Sequence, residues 1–311
     1  MTTRHLLIWV VSSLLAAPAM AEDWYPSRYG ADDTLGAINN LSAESVVKAA
    51  RLVETGKVYG LGVETGPTTP AYGPRRYQMT VLQLDDGRGI PFGKNRATGN
   101  DDLMNTWMGI GSQIDGLGHM GIEHVYYNGH KAEDFVTPSG LTKLSVDALP
   151  PIVARGVLLD MTKLLGKEIL DAGTAFNEKE IQAAAHAAGL EIGRGDVVLF
   201  HTGWLNVADT NPTRFMAGEP GLGVGGAKHL ASLGVVAVGA DSWGLEVLPT
   251  EVEGEFFPVH PELLAKNGVY ILESMDTRAL AADGVTEFLF VLGQPRFVGS
   301  VQAIINPVAI R

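Results

Sequence analysis

Two kinds of hydrophobic spacing run along this chain, a helical one and a set of short unbroken apolar runs. Residues 41–55 (LSAESVVKAARLVET) repeat apolar positions at helical intervals behind Ser42, whose hydroxyl suits an N-cap, and Gly56 is placed to end the helix. NEKEIQAAAHAAG (177–189) and AKHLASLG (227–234) predict two further helices. VYGLGVE (58–64) and YQMTVLQL (77–84) read as strands, with Pro and Gly crowded between them. ARGVLLDM (154–161), VVLFHTGW (197–204), VVAVGAD (235–241), GVYILES (268–274), EFLFVLGQ (287–294) and AIINPVAI (303–310) add more. Most of these runs are apolar throughout rather than alternating. Strands of that kind are buried on both faces, so the pattern predicts a sheet covered by helices, an α/β layered fold. Residues 87–140 lack periodicity, but Trp107, Met108, Tyr126 and Tyr127 argue for an ordered, functional stretch rather than disorder.

The start of the chain changes the picture. Arg4 and His5 precede an apolar run from Leu6 to Ala17, broken by Ser12 and Ser13, and Ala19-Met20-Ala21 follows with small residues at a cleavage spacing. That is the build of a secretory signal peptide over residues 1–21, and the apolar run falls short of the roughly 20 residues a membrane span needs. The mature chain is then expected to run from 22 to 311 as one domain, periplasmic or secreted, since neither a linker nor a repeat divides it and no later segment could span a bilayer. Composition narrows the chemistry. With 46% hydrophobic residues the chain can bury a substantial core. A net charge of −12 disfavours nucleic acid and anionic membranes as partners. There is no cysteine, so disulfides, thiol catalysis and sulfur-ligated zinc are excluded.

The segment GIGSQIDGLGHMGIEHVYYNGH (109–130) carries the most chemistry. Asp115 and His119 lie four apart among Gly111, Gly116 and Gly118, and glycines let the backbone fold tightly enough for two side chains to converge. A carboxylate and an imidazole are common ligands of a divalent metal. A plain polar loop is the other reading of that spacing. Glu273 sits inside an apolar strand-like run, where an unpaired carboxylate is expensive, so a metal or an arginine such as Arg278 should face it. His201 ends a buried strand and could line a pocket, His124 and His130 suit loop or supporting positions, and His186 and His229 fall on helices. No Gly-x-Ser-x-Gly elbow exists for Ser112 or Ser242 to act as a serine nucleophile. GEPGLGVGG (218–226) fits neither a P-loop nor a dinucleotide fingerprint and reads as a mobile loop near the site.

Together with DDTLGAINNLSAE near the start, VVLFHTGW, GVVAVGADSWGLE and FPVHPELLAKNGVYILES resemble, in order and spacing, the cyclase family, which includes bacterial kynurenine formamidases and isatin hydrolases. The family signature, His-x-Gly-Thr-His-x-Asp-x-Pro-x-His, falls on residues 109–119. Gly111, Asp115 and His119 match it, and Ser112 is a mild change from Thr. Gly109 and Gln113 replace the first two histidines, and Leu117 replaces the proline. The resemblance implies a swivelling β/β/α-type domain with an added helical N-terminal portion, assembled as a homodimer or larger. It also implies that the two missing histidines would chiefly serve one of two ions. The other ion would be held by Asp115, His119, His260 and Glu273.

One divalent metal, zinc or manganese, is therefore expected. One carboxylate could stand outside the ligand set or act as base. Gln113 could give an amide oxygen to the ion or hydrogen-bond a substrate carbonyl, steadying the oxyanion, while Glu273 or His119 shuttles the proton. The implied activity is metal-dependent hydrolysis of a small cyclic amide, lactone or N-formyl aromatic compound. Loss of the two histidines points away from kynurenine formamidase itself. Trp107, Tyr126, Tyr127, Trp204 and Trp243 are candidates for an apolar slot. The other reading is an exported, non-catalytic small-molecule binding protein on the same fold.

Overall fold

The apolar runs pair into one nine-stranded mixed sheet. Its strands are β1 (Val58–Gly60), β2 (Gln113–Asp115), β3 (Ile152–Asp160), β4 (Val197–His201), β5 (Ala237–Ala240), β6 (Tyr270–Glu273), β7 (Glu287–Leu292), β8 (Gln302–Ile304) and β9 (Val308–Ile310). Their order across the sheet is β1-β9-β7-β3-β4-β5-β6-β2-β8. The structure, a computed structural model, describes residues 24–83 and 90–311, so the signal peptide expected at 1–21 lies outside the described residues.

Strands β3 to β6 run parallel, and every other pairing in the sheet is antiparallel. All five residues of β4 and all four of β5 and β6 are buried, as unbroken apolar runs require. Helices α1 (Ala43–Ala50), α2 (Glu178–Ala187) and α3 (Val224–Leu233) pack around it, α1 against β3 and α2 against α3. The result is the α/β layering expected from the spacing.

Helix α1 starts as predicted, with Ser42 and Ser45 forming a reciprocal cap. It ends at Ala50, five residues before the expected end. The cause is tertiary: the amides of Thr55 and Lys57 both donate to the Arg311 carbonyl, which draws the chain out of the helix toward β9. GEPGLGVGG also departs from expectation. Gly221–Leu222 pairs in parallel with Ala175–Phe176, Val224 begins α3, and most of the segment is buried. It is part of the packed fold rather than a mobile loop.

A hairpin of Met79–Gln83 and Asn100–Met104 stands apart from the main sheet and leaves Val81, Leu82, Leu103 and Met104 exposed. Among the described residues, no helix is long and apolar enough to cross a membrane.

Phe200, Tyr270, Leu272, Phe288 and Phe290 belong to the main core, and a smaller cluster holds Trp204, Leu205, Val207 and Phe215. Truncating one large side chain here leaves a cavity in close-packed surroundings. Phe290→Ala should therefore cost about 3–5 kcal/mol of stability, read as a lower urea midpoint at unchanged slope.

Candidate metal centre

The site forms where the sheet changes direction, between parallel β6 and antiparallel β2. Register decides which side chains meet there. Gln113 lies opposite Glu273, and Asp115 lies opposite Gln302 of β8. Side chains alternate along a strand, so Gln113, Asp115, Glu273 and Gln302 share one face while Ile114, Leu272 and Ala303 fill the other. A one-residue slip would bury four polar groups in the core, which fixes the register.

His119 reaches the same point through a turn in which its amide donates to the Gly116 carbonyl. The flanking glycines permit this approach. A Cβ on Gly116 would lie 2.8 Å from the Val301 carbonyl, and one on Gly118 would lie 2.5 Å from Leu141 Cδ1. His260 comes from the opposite side, in the short helix Val259–Pro261, which continues into a π-helical turn at Glu262–Lys266. Wide turns of this kind recur at functional sites.

Asp115 Oδ2 is the focus of the cluster. It is buried and has no hydrogen-bond partner, an expensive state for a carboxylate oxygen. His260 Nε2 stands 3.5 Å from it and His119 Nε2 3.7 Å. One donor atom from each of the three residues lies within 4.8 Å of the others. Bonds of about 2.1 Å in a tetrahedral shell place neighbouring ligand atoms about 3.4 Å apart, so the spacing fits a divalent ion. Glu273 approaches from the His260 side, its Oε1 3.2 Å from Nε2.

Further hydrogen bonds hold Asp115 and His260 in place. Glu246 Oε1 accepts from His260 Nδ1 at 2.5 Å, which orients the ring so that Nε2 faces Asp115. Glu246 also accepts from the amides of Val259 and His260, so one carboxylate holds both ring and backbone. Gln302 donates to Asp115 Oδ1 at 2.7 Å. The Gln113 amide nitrogen donates to both Asp115 Oδ1, at 3.2 Å, and Glu273 Oε2, at 2.5 Å.

Acidic groups are concentrated in this place. Burial works against the charge on Asp115, but His119, His260 and Gln302 outweigh it and hold the carboxyl at about 2. Burial also disfavours a charged His260, yet Asp115, Glu246 and Glu273 together push its pKa well above the usual imidazole range. Three carboxylates thus crowd one imidazole. Burial and the Asp115 charge lift Glu273 to about 7, against the pull of His260 and Arg75. Burial lowers the His119 pKa, with partial compensation from Asp115, which favours the neutral form of the ring that can ligate a metal.

A cavity of about 240 Å³ opens on the cluster, with Gln113, His119, His260 and Glu273 in its walls. The opposite wall is aromatic: Tyr72 stacks on Trp243 at 5.6 Å, and Phe257 meets Trp243 edge-on at 5.9 Å and His260 at 5.3 Å. Phe257 holds a left-handed φ of +47°, a strained setting for a bulky residue of the kind found at ligand clamps.

Of the five aromatic residues expected to build the slot, Trp243 alone lines this cavity. Trp204 is buried in the satellite core, Tyr127 is buried and donates to Asp33, and Tyr126 packs on Phe135. Trp107 is exposed beyond the hairpin. Their places are taken by Tyr72, Phe256 and Phe257. His201 hydrogen-bonds Thr277 and faces Asp241 instead of the cavity. Arg278 pairs with Asp276 and Asp209, so it is not the cation facing Glu273. His130 packs its ring on Phe135, and neither it nor His124 joins the cluster.

Glu246, Gln302 and Arg75 were not singled out by the sequence. Glu246 carried a signal, since it lies within the apolar run GLEVLP and a buried acid there needs a partner, as Glu273 does.

Comparison with known proteins bears on the family and the fold. The Cyclase family profile matches residues 59–247. A crystal structure described as a novel cyclase is 27% identical and superposes with a TM-score of 0.84 over 93% of this chain and 97% of its own. Isatin hydrolase A from Ralstonia solanacearum, at 16% identity, shares the fold with a TM-score of 0.62 over 87% of this chain and 98% of its own. A predicted metal-dependent hydrolase from Bacillus stearothermophilus, 20% identical, does so at 0.54 over 82% and 98%. Among curated proteins there is no match. Because the profile spans well over half of its length, and the motif residues Asp115 and His119 stand at the centre of the buried cluster, this chain belongs to the Cyclase family.

Proposed function

We propose that the protein is a metal-dependent hydrolase of a small carbonyl compound, a cyclic amide, a lactone or an N-formyl aromatic. The observation that carries this reading is the orphaned Asp115 Oδ2 between two imidazole nitrogens at metal-ligand spacing. Asp115, His119 and His260 would hold one ion, zinc or manganese. Bound there, such an ion acidifies water and polarises a carbonyl. Names carried by structural relatives, isatin hydrolase and metal-dependent hydrolase, support the same class.

The chain's own residues divide the remaining work. Glu273, buried and raised toward neutrality, suits a proton carrier at the cavity wall. It takes a proton from the attacking water and passes it to the departing nitrogen or oxygen as the C–N or C–O bond breaks, leaving a carboxylic acid. Gln113, whose amide donor is shared by Asp115 and Glu273, positions these two carboxylates rather than reaching for an oxyanion. The aromatic wall holds the ring of the substrate and keeps bulk water out.

Export through the leader, and a homo-oligomer, complete the reading. The hairpin with its exposed Val81, Leu82, Leu103 and Met104 is the surface that supports assembly.

The test is a panel of lactones, cyclic amides and N-formyl anilines, assayed before and after chelation. Turnover lost on chelation and restored by zinc or manganese supports the reading. Gly109 and Gln113, in place of two motif histidines, favour the alternative of a non-catalytic binding protein, and a folded protein inert on the whole panel would favour it further.

Glu246→Gln tests the supporting shell. Loss of the carboxylate behind a ligating imidazole should weaken metal retention about 10–100-fold without unfolding the chain, measured by competition with a chromogenic chelator.

A further inference from the structure

The half-buried Arg75 is unexplained by the metal cluster, though it lies in the same cavity. Its Nη1 donates to the Gly109 carbonyl at 2.7 Å. Among the described residues it has no other hydrogen-bond acceptor, and no carboxylate lies within ion-pair distance. A guanidinium offers five N–H groups in a fixed fork, so most of its donors are left for something that enters the cavity. The group is held in place: its Cζ lies 5.9 Å from the centre of the Tyr72 ring, which is itself stacked on Trp243.

Position 109 adds a second observation. Here the family motif has a histidine and this chain has glycine. A Cβ on Gly109 would lie 2.5 Å from Arg75 Nη1 and 2.8 Å from its Cζ. The guanidinium therefore fills the space that a side chain at 109 would need.

From this geometry we infer that Arg75 is a fixed cation that receives a carboxylate of the ligand. The ligand class follows. A cavity of about 240 Å³ lies below the range of sites for drug-sized molecules, so it admits a small planar ring that carries a carboxylate or acquires one on hydrolysis. The ring stacks among Tyr72, Trp243 and Phe257, and the carboxylate meets the guanidinium in a forked pair. The choice of ligand rests on the hydrolase reading, whereas the anion site itself does not require turnover.

Benzoate and its neutral counterpart benzamide are suitable probes, measured by calorimetry on the parent, Arg75→Lys and Arg75→Ala, each with metal and after chelation. The parent should prefer benzoate at least tenfold in both states. Arg75→Ala should abolish that preference, and Arg75→Lys should keep part of it, since the charge remains but the fork is lost. Far-UV circular dichroism and the melting temperature establish that the variants are folded. An undiminished benzoate preference in metal-loaded Arg75→Ala would overturn the inference, because the carboxylate would then sit elsewhere. So would equal binding of the two probes by the parent. Inertness on the substrate panel with the preference intact would count against the hydrolase reading alone.

Discussion

Asp115→Asn should remove bound metal and hydrolytic activity together. The substitution keeps the shape of the side chain, and its amide oxygen can still accept from Gln302, so the strand pairing between β2 and β8 survives. What disappears is the charged Oδ2 that both imidazoles face at 3.5 and 3.7 Å. Loss of an outer-shell partner costs about 10–100-fold in metal affinity, and loss of a central charged ligand should exceed the upper end of that range. Turnover should fall by at least about 10³, with a circular dichroism spectrum like the parent's. Elemental analysis beside the kinetics checks the pairing of the two losses. An Asp115→Asn protein that keeps a full complement of metal would place the ion elsewhere.

Glu273→Gln should separate chemistry from metal binding. If Glu273 carries the proton, the variant should retain metal while kcat drops by about 10²–10⁴. The pH profile gives the sharper reading. Burial and Asp115 raise the Glu273 carboxyl to about 7. As a base it works only when ionised, so parental activity should fall as pH drops through that value. A bound cation pulls this limb toward lower pH, because it favours the carboxylate. In Glu273→Gln the acidic limb should vanish. If the limb stays in place, some other group accepts the proton.

The fold was largely legible because its central strands are continuous apolar runs, and β3 to β6 appear where VLL, VVLF, AV and YIL predicted them. The early end of α1 was not legible, since it depends on hydrogen bonds to Arg311 from 256 residues away in the chain. The site divides in the same manner. Asp115 and His119 share a glycine-rich segment and could be paired by eye, whereas His260 and Glu273 came from the resemblance to a family. Gln302 and Arg75 lie far from the motif in sequence and are brought to it only by strand register and by the packing of a loop without periodicity. The aromatic slot failed for a related reason. Composition identifies large rings, but only tertiary packing assigns Trp204 to a core and Tyr72 to a cavity wall.

Metal content per chain decides whether Asp115, His119 and His260 form a metal site. The protein, purified, loaded with zinc or manganese and desalted, should retain one equivalent, held by Asp115, His119 and His260. Retention should weaken on acidification, because protons compete for the two imidazoles and the carboxylate. A folded protein that takes up no metal would contradict the account and leave a binding function on the same fold. Two tightly held equivalents would contradict it differently, by showing that Gly109 and Gln113, in place of two motif histidines, do not abolish a second position.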